Sequence, residues 1–311
     1  VSKAEKSGAA AIICEREIET SLPYVIVGDG RAAMAVVART FYGYADKKLK
    51  LVAVTGTNGK TTTTHMLKSI FDKNNSKTGI IGTLGIAYGD IFISPELTTP
   101  DPLFLHSVFA DMAKSGVEYV IMEVSAHALY FDKIYGLTFE AGIFTNCTQD
   151  HLDFFKDIDD IRHSFRRFAA LLPEDGALII NGDIDRYGEI TKDCACRVIT
   201  YGTSAACDYS CRDITYDHHA HASFLLHTPN MGDESFTLAV PGEHNVSNAM
   251  AAIALADLLG IDRRTVRKAL LHFTGTDRRF EYKGKKNGFT IIDDYAHHPT
   301  EITATLKAAV N

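Results

Sequence analysis

The sequence predicts an α/β protein, three layers deep, built on a mostly parallel sheet. Apolar runs at 51–54, 119–124, 141–144 and 177–180 are continuous rather than alternating, the pattern of strands covered on both faces. Helical stretches lie between them, and alternation of strand with helix places helices on both faces of such a sheet. The run at 51–54 also leads straight into a glycine-bearing loop and a helix, the arrangement that aims backbone N–H groups at a phosphate.

In chain order, residues 1–47 precede that first strand and read as a small αβ unit of their own. It has a helix-like stretch at 1–7 and strands at 9–14 and 24–27. Residues 48–275 read as a central domain. There, 62–71 is helical after the loop, and 102–114 places Leu103, Leu105, Val108, Phe109 and Met112 near one face before the cap at Gly116. Stretches 223–226 and 236–240 flank Pro229-Asn230-Met231-Gly232 and predict a hairpin on the sheet's edge. An Ala-rich helix at 246–259 follows, closed by Gly260. Residues 276–311 begin a third unit with one strand, 290–293, and one helix, 300–310. A single strand and helix cannot bury a core, so this unit is expected to be an incomplete domain, and the chain an internal piece of a longer protein.

The loop is Thr55-Gly56-Thr57-Asn58-Gly59-Lys60-Thr61-Thr62. Its glycines permit a tight turn and close approach of phosphates, Lys60 brings a point charge for the outer phosphates, and Thr61 brings a hydroxyl for Mg2+. The pattern predicts an ATP site. Val54 stands where the general phosphate-loop spacing has its first glycine, which narrows the family. A guanine-reading Asn-Lys-x-Asp run is absent from the sequence, which argues against a GTPase switch.

Composition bounds the partners. With 311 residues, 46% of them hydrophobic and 23% charged, the chain can bury one or two ordinary cores. The net charge of -7 argues against nucleic acid, and the apolar runs fall short of the roughly 18 residues that span a bilayer. Cys14, Cys147, Cys194, Cys196, Cys207 and Cys211 read as reduced thiols of a cytoplasmic protein, and a monomer is expected. Cys194, Cys196, Cys207 and Cys211 lie near His218, His219 and His221 in sequence, but these spacings match no common zinc pattern.

Five segments in order, Gly56 to Thr62, Glu96-Leu97-Thr98-Thr99-Pro100, Met122-Glu123-Val124-Ser125-Ala126-His127, Asp150-His151-Leu152-Asp153 and Pro241-Gly242-Glu243-His244-Asn245-Val246-Ser247-Asn248, resemble the signatures of the Mur ligases, which build the peptide stem of peptidoglycan. The resemblance covers essentially the whole chain, and the Lys-Thr-Thr run separates it from the related folylpolyglutamate synthetases. Through Phe155 the chain resembles the tripeptide synthetase branch. From about Lys156 it resembles the UDP-N-acetylmuramate–alanine ligase branch, through His163 to Phe168, Thr276 to Glu281 and Asp293 to Ile302.

The resemblance implies an ATP-dependent amide ligase that activates a UDP-N-acetylmuramoyl carboxylate and joins it to an amino acid. The tripeptide synthetase step is favoured over alanine addition or a non-catalytic ATP-binding fragment. It implies that Lys60 neutralises the outer phosphates, that Thr61 and Glu123 hold a first Mg2+ and that His151 serves a second. It places Gly56, Thr57, Asn58, Gly59, Lys60, Thr61 and Thr62 on the phosphates, Asn245 and Asn248 on the adenine side, and Arg279 and Asp294 near the nucleotide at the hinge to the third unit. Thr98, Thr99 and Ser125 match positions that hold the UDP-linked acceptor, and Lys133 stands where an arginine is usual. Tripeptide synthetases carry a carbamylated lysine downstream of the Asp-His-Leu-Asp segment; ungapped counting puts Phe165 there, so bicarbonate dependence is not expected.

Overall fold

A computed structural model of the chain describes residues 1–94, 96–148, 155–218, 220–297 and 299–310. The N-terminal unit comprises α1 (Ser2–Lys6), a parallel pair β1 (Ile12–Cys14) and β2 (Tyr24–Ile26), and α2 (Gly30–Phe41). Asp29 caps α2, its carboxylate accepting from the N–H groups of Arg31 and Ala32, which satisfies two of the donors every helix start leaves open.

The central unit runs β3 (Lys50–Thr55), α3 (Lys60–Lys73), β4 (Thr78–Gly82), β5 (Gly85–Tyr88), β6 (Ile91–Ile93), α4 (Pro102–Lys114), β7 (Tyr119–Glu123), α5 (Ala126–Tyr130) and β8 (Ala141–Phe144). It continues through α6 (Ile158–Ala170), β9 (Ala177–Asn181), α7 (Tyr187–Thr191), β10 (Arg197–Gly202), β11 (Tyr209–Tyr216), β12 (His221–Thr228), β13 (Gly232–Pro241), α8 (Glu243–Leu258) and α9 (Arg263–His272). Among the described residues these strands form one 11-stranded sheet in the order β13-β12-β11-β10-β9-β8-β3-β7-β4-β5-β6. From β11 to β4 every neighbouring pair is parallel; β5, β6 and the β12–β13 hairpin add antiparallel margins. The expected edge hairpin is therefore present.

Period-two alternation divides β3 between two cores. Val52 and Val54 pack with α3, α8 and α9 on one face, Leu51 and Ala53 with α4, α5 and α6 on the other. This is the three-layer arrangement the sequence predicts. Helix α8 is apolar all round and buried along most of its length, as its alanines anticipate. Phe165 is a core side chain of α6, 1% exposed, its ring 4.6 Å from that of Phe144 at the end of β8.

The third unit departs from expectation in one respect. Its strand β15 (Phe289–Asp293) pairs with a second one, β14 (Glu281–Lys286), before α10 (Pro299–Val310). Apolar patterning cannot reveal β14, whose sequence is Glu-Tyr-Lys-Gly-Lys-Lys with mostly exposed side chains. The Asn287-Gly288 turn, both residues at positive φ, is what folds it back.

Candidate nucleotide and acceptor site

Strand β3 lies between β7 and β8, so the loop after it opens at the carboxyl edge of the sheet where the strand order reverses, the usual ligand crevice of open α/β sheets. The loop rests on the segment after β8. Asn58 N donates to Asn146 Oδ1 (2.8 Å), Asn146 Nδ2 returns a bond to the Asn58 carbonyl (3.0 Å), and Thr145 Oγ donates to the same carbonyl (2.5 Å). Thr57 Oγ donates to the Thr148 carbonyl at 3.1 Å and accepts from Thr148 N at 3.0 Å. Gly56 and Gly59 hold φ values of +127° and +81°, and a Cβ on either would meet Thr145 or Asn248. Only glycine serves at both places.

Lys60 begins α3 and bends back, its Nζ donating to the carbonyls of Gly56 (2.8 Å) and Thr57 (2.7 Å). One residue on, Thr61 Oγ donates to Glu123 Oε2 at 3.1 Å. Glu123 ends β7 and is fully buried. Thr83, just past β4, also reaches its carboxylate, through N–H to Oε1 (2.9 Å) and Oγ–H to Oε2 (3.0 Å).

A cavity of about 270 Å3 opens beside the loop. Asn58, Gly59, Thr61 and Thr62 line one side, Asn245 and Asn248 of α8 another, and Arg279 and Asp294 of the third unit the far side. Asn245 is anchored on the Pro241 carbonyl (2.7 Å) and accepts from Asn248 (3.1 Å). Asp294 accepts from the N–H groups of Phe280 and Ala296, both at 2.7 Å, which ties β15 to the segment before β14. His244 shares the cavity, and burial lowers its pKa against the raising pull of Asp294. The Asn58 amide, its nitrogen turned to the third unit, donates to Glu301 Oε1 at 2.7 Å.

The acceptor-type residues cluster on the other side of Glu123. Thr99 Oγ donates to the Glu123 carbonyl (2.8 Å) and accepts from Ser125 N (3.1 Å). Ser125 caps α5, and Thr98 Oγ lies 3.1 Å from Thr83 Oγ. Lys133 Nζ reaches the Thr99 carbonyl (3.3 Å) and Asp101 (2.9 Å). Thus the predicted nucleotide residues and acceptor residues form two sets meeting at Glu123. His151, and the rest of the Asp-His-Leu-Asp segment, lies outside the described residues.

Thr83 and Asn146 escaped the sequence reading, and His244 and Glu301 entered it only as members of matching segments, without a role. For Asn146 a signal existed, since Thr-Asn directly after the apolar run at 141–144 marks a loop at a strand's carboxyl end. The buried Thr61 hydroxyl beside the Glu123 carboxylate offers two oxygen donors on adjacent elements, a donor set that suits Mg2+, which keeps several waters and shares phosphate oxygens. Among the described residues there is no group of three or more His, Cys, Asp and Glu side chains that could hold a metal, the Cys194 to His221 region included. Nor does any helix of the described residues have the length and apolarity to cross a membrane.

Known proteins resemble this chain in sequence and in fold. The Mur ligase middle domain family matches residues 54–256, and the Mur ligase, glutamate ligase domain family matches residues 278–311. UDP-N-acetylmuramoyl-L-alanyl-D-glutamate–2,6-diaminopimelate ligase of Clostridium botulinum is 36% identical over 317 residues, 99% of this chain and 64% of that protein. UDP-N-acetylmuramate–L-alanine ligase of Agathobacter rectalis is 44% identical over 260 residues, 83% of this chain and 51% of that protein. A solved UDP-N-acetylmuramoyl-L-alanyl-D-glutamate–2,6-diaminopimelate ligase superposes with a TM-score of 0.85 at 26% identity, over 99% of this chain and 63% of its own. The chain thus spans less than two thirds of the length of these relatives. By its sequence matches and its fold alike, the chain belongs to the Mur ligase family.

Proposed function

We propose that the chain binds Mg-ATP and a UDP-N-acetylmuramoyl acceptor and takes part in the ATP-dependent ligation of an amino acid to that acceptor in the cytoplasm. The observation that carries the reading is the buried Thr61–Glu123 contact, set between the phosphate-type loop and the row Thr98, Thr99, Ser125 and Lys133. On this reading an acceptor carboxylate and a γ-phosphate would lie on either side of one carboxylate ligand.

A carboxylate resists attack by amines, and phosphorylation of it creates a leaving group. Phosphoryl transfer asks a protein for positioning and charge neutralisation more than for covalent chemistry. The N–H groups of the loop at the start of α3 would cradle the phosphates, and Lys60 would exchange its two carbonyl partners for phosphate oxygens. Thr61 and Glu123 would hold Mg2+, which supplies neutralisation of phosphate charge, with His151 as a further ligand. Asn245, Asn248, Arg279 and Asp294 would receive the nucleoside side. Thr98, Thr99, Ser125 and Lys133 would orient the acceptor; Lys133 brings charge without the two-pronged geometry of arginine.

Addition of the third residue of the stem is favoured, because Thr98, Thr99 and Ser125 match the acceptor positions of the tripeptide synthetase branch, and Thr99 accepts from Ser125 N. The burial of Phe165 supports the alternative, alanine addition, since the lysine of the tripeptide synthetases has no counterpart there. The test is titration calorimetry with Mg-ATP, then ADP release with UDP-N-acetylmuramate or its dipeptide form, and with L-alanine, L-lysine or meso-diaminopimelate as amine. ADP release that depends on one acceptor is expected; ATP turnover indifferent to acceptor, or absence of ATP binding, overturns the reading.

A further inference from the structure

Glu123 is fully buried, and a polar group taken out of water is costly unless its oxygens are bonded. Of the donors that reach it, Thr83 supplies two, N–H to Oε1 and Oγ–H to Oε2, while Thr61 supplies one to Oε2. A grip on both oxygens from one residue fixes the plane of the carboxylate as well as its position. Gly82, the residue before, completes the fit, for a Cβ there would collide with Glu123 Oε1.

The direction of the protons follows. An ionised carboxylate accepts only, so the single proton of the Thr83 hydroxyl points to Glu123. The contact between Thr98 Oγ and Thr83 Oγ, 3.1 Å, therefore has Thr98 as donor. A chain of hydroxyls runs from the acceptor side to the carboxylate, Thr98 to Thr83 to Glu123, and meets Thr61 arriving from the phosphate loop.

We propose that Thr83 is a positioning residue that orients Glu123 for Mg2+ and couples that ligand to the acceptor through Thr98. The inference rests on the reading of Glu123 as a metal ligand. An acceptor group that engages the Thr98 hydroxyl changes what Thr83 receives, and through it the electron density at Glu123; the effect of acceptor on metal affinity then equals that of metal on acceptor affinity.

The test uses Thr83→Val, which keeps the shape and removes the hydroxyl, and Thr83→Ser, which keeps the hydroxyl. Mn2+ binding in the presence of ADP is followed by electron paramagnetic resonance, with melting curves for all three proteins. Thr83→Val is expected to weaken Mn2+ binding about tenfold or more, the scale of a hydrogen bond to a charged group, with Thr83→Ser restoring it to within about threefold of the parent. Equal Mn2+ affinity in parent and valine protein overturns the inference and leaves the ligase reading standing. No Mn2+ binding by the parent with ADP overturns both. The coupling has its own readout in the unaltered protein: UDP-N-acetylmuramoyl dipeptide at saturation shifts the Mn2+ affinity, and an acceptor that binds without any shift sinks the link through Thr98.

Discussion

Asn248 Oδ1 stands 2.5 Å from the point where a Cβ on Gly59 would lie. Helix α8 therefore closes directly on the start of α3, and the amide that faces the cavity is also the wall that keeps residue 59 without a side chain. Asn248 is itself held by Asn245, so it has little room to yield.

Gly59→Ala is accordingly expected to weaken Mg-ATP binding by about 1–3 kcal/mol, from backbone strain at positive φ and displacement of Asn248. Calorimetry checks it, and a melting curve separates a local effect from unfolding. An alanine protein with unchanged affinity would show that the loop does not approach phosphate as described.

Lys60→Ala is expected to lower Mg-ATP affinity by about 1.5–3 kcal/mol, the range for a charge-assisted hydrogen bond. Because Lys60 also ties the carbonyls of Gly56 and Thr57, faster amide exchange in residues 56–60 of the variant without nucleotide is a second expectation. Hydrogen exchange by mass spectrometry reads it.

Glu301 presents a carboxylate to Asn58 of the loop and lies 3.9 Å from Arg279. If phosphate binds as proposed, an anion there would compete with it for the same donors. Glu301→Gln is expected to bind Mg-ATP more tightly, by about 1 kcal/mol, and a loss of affinity would mean that the carboxylate helps the nucleotide instead.

Phe165, which ungapped counting puts at the position of the modified lysine of the tripeptide synthetases, is a buried core side chain. Activity of the completed enzyme is therefore expected to be the same with and without added bicarbonate, and the intact mass of this chain to show no carbamate. Phe165→Ala is expected to cost about 3–5 kcal/mol of stability, read by denaturant unfolding.

Burial, helped by Lys68 and opposed by Asp277, lowers the His65 pKa from 6.5 to about 4. At pH above 6.5 neither the folded nor the unfolded chain protonates this ring, and it adds no pH dependence to stability. As pH falls from 6.5 toward 4 only the unfolded chain takes up the proton, so stability declines until the native ring titrates as well. His65→Gln is expected to flatten the decline over this window. Unfolding midpoints at several pH values measure it, and an identical slope in both proteins refutes the assignment.

Much of this was legible from the residues. The strands at 51–54, 119–124, 141–144 and 177–180 all lie in one sheet, because burial on both faces leaves a short unbroken apolar run, too short for a buried helix such as α8. The loop residues were legible because glycine and lysine carry their roles in their own covalent structure. Thr83 was not, since a threonine after a strand has no periodic mark, and its partner lies 40 residues away across a sheet. Strand β14 escaped for a related reason: its charged side chains face solvent, and its turn rather than its composition defines it.

The sheet order has a consequence for how the site can change. Thr61 follows β3, Glu123 ends β7 and Thr83 follows β4, and these three strands are immediate neighbours in the order β3-β7-β4. Backbone hydrogen bonds hold adjacent strands about 4.8 Å apart, so the spacing from Thr61 to Glu123 to Thr83, the residues proposed above to serve phosphate, metal and acceptor, is set by the peptide ladder itself. It behaves as a fixed gauge. Substitution at Thr98, Thr99 or Lys133 can reshape the proposed acceptor side, but it cannot widen the track without unmaking the sheet.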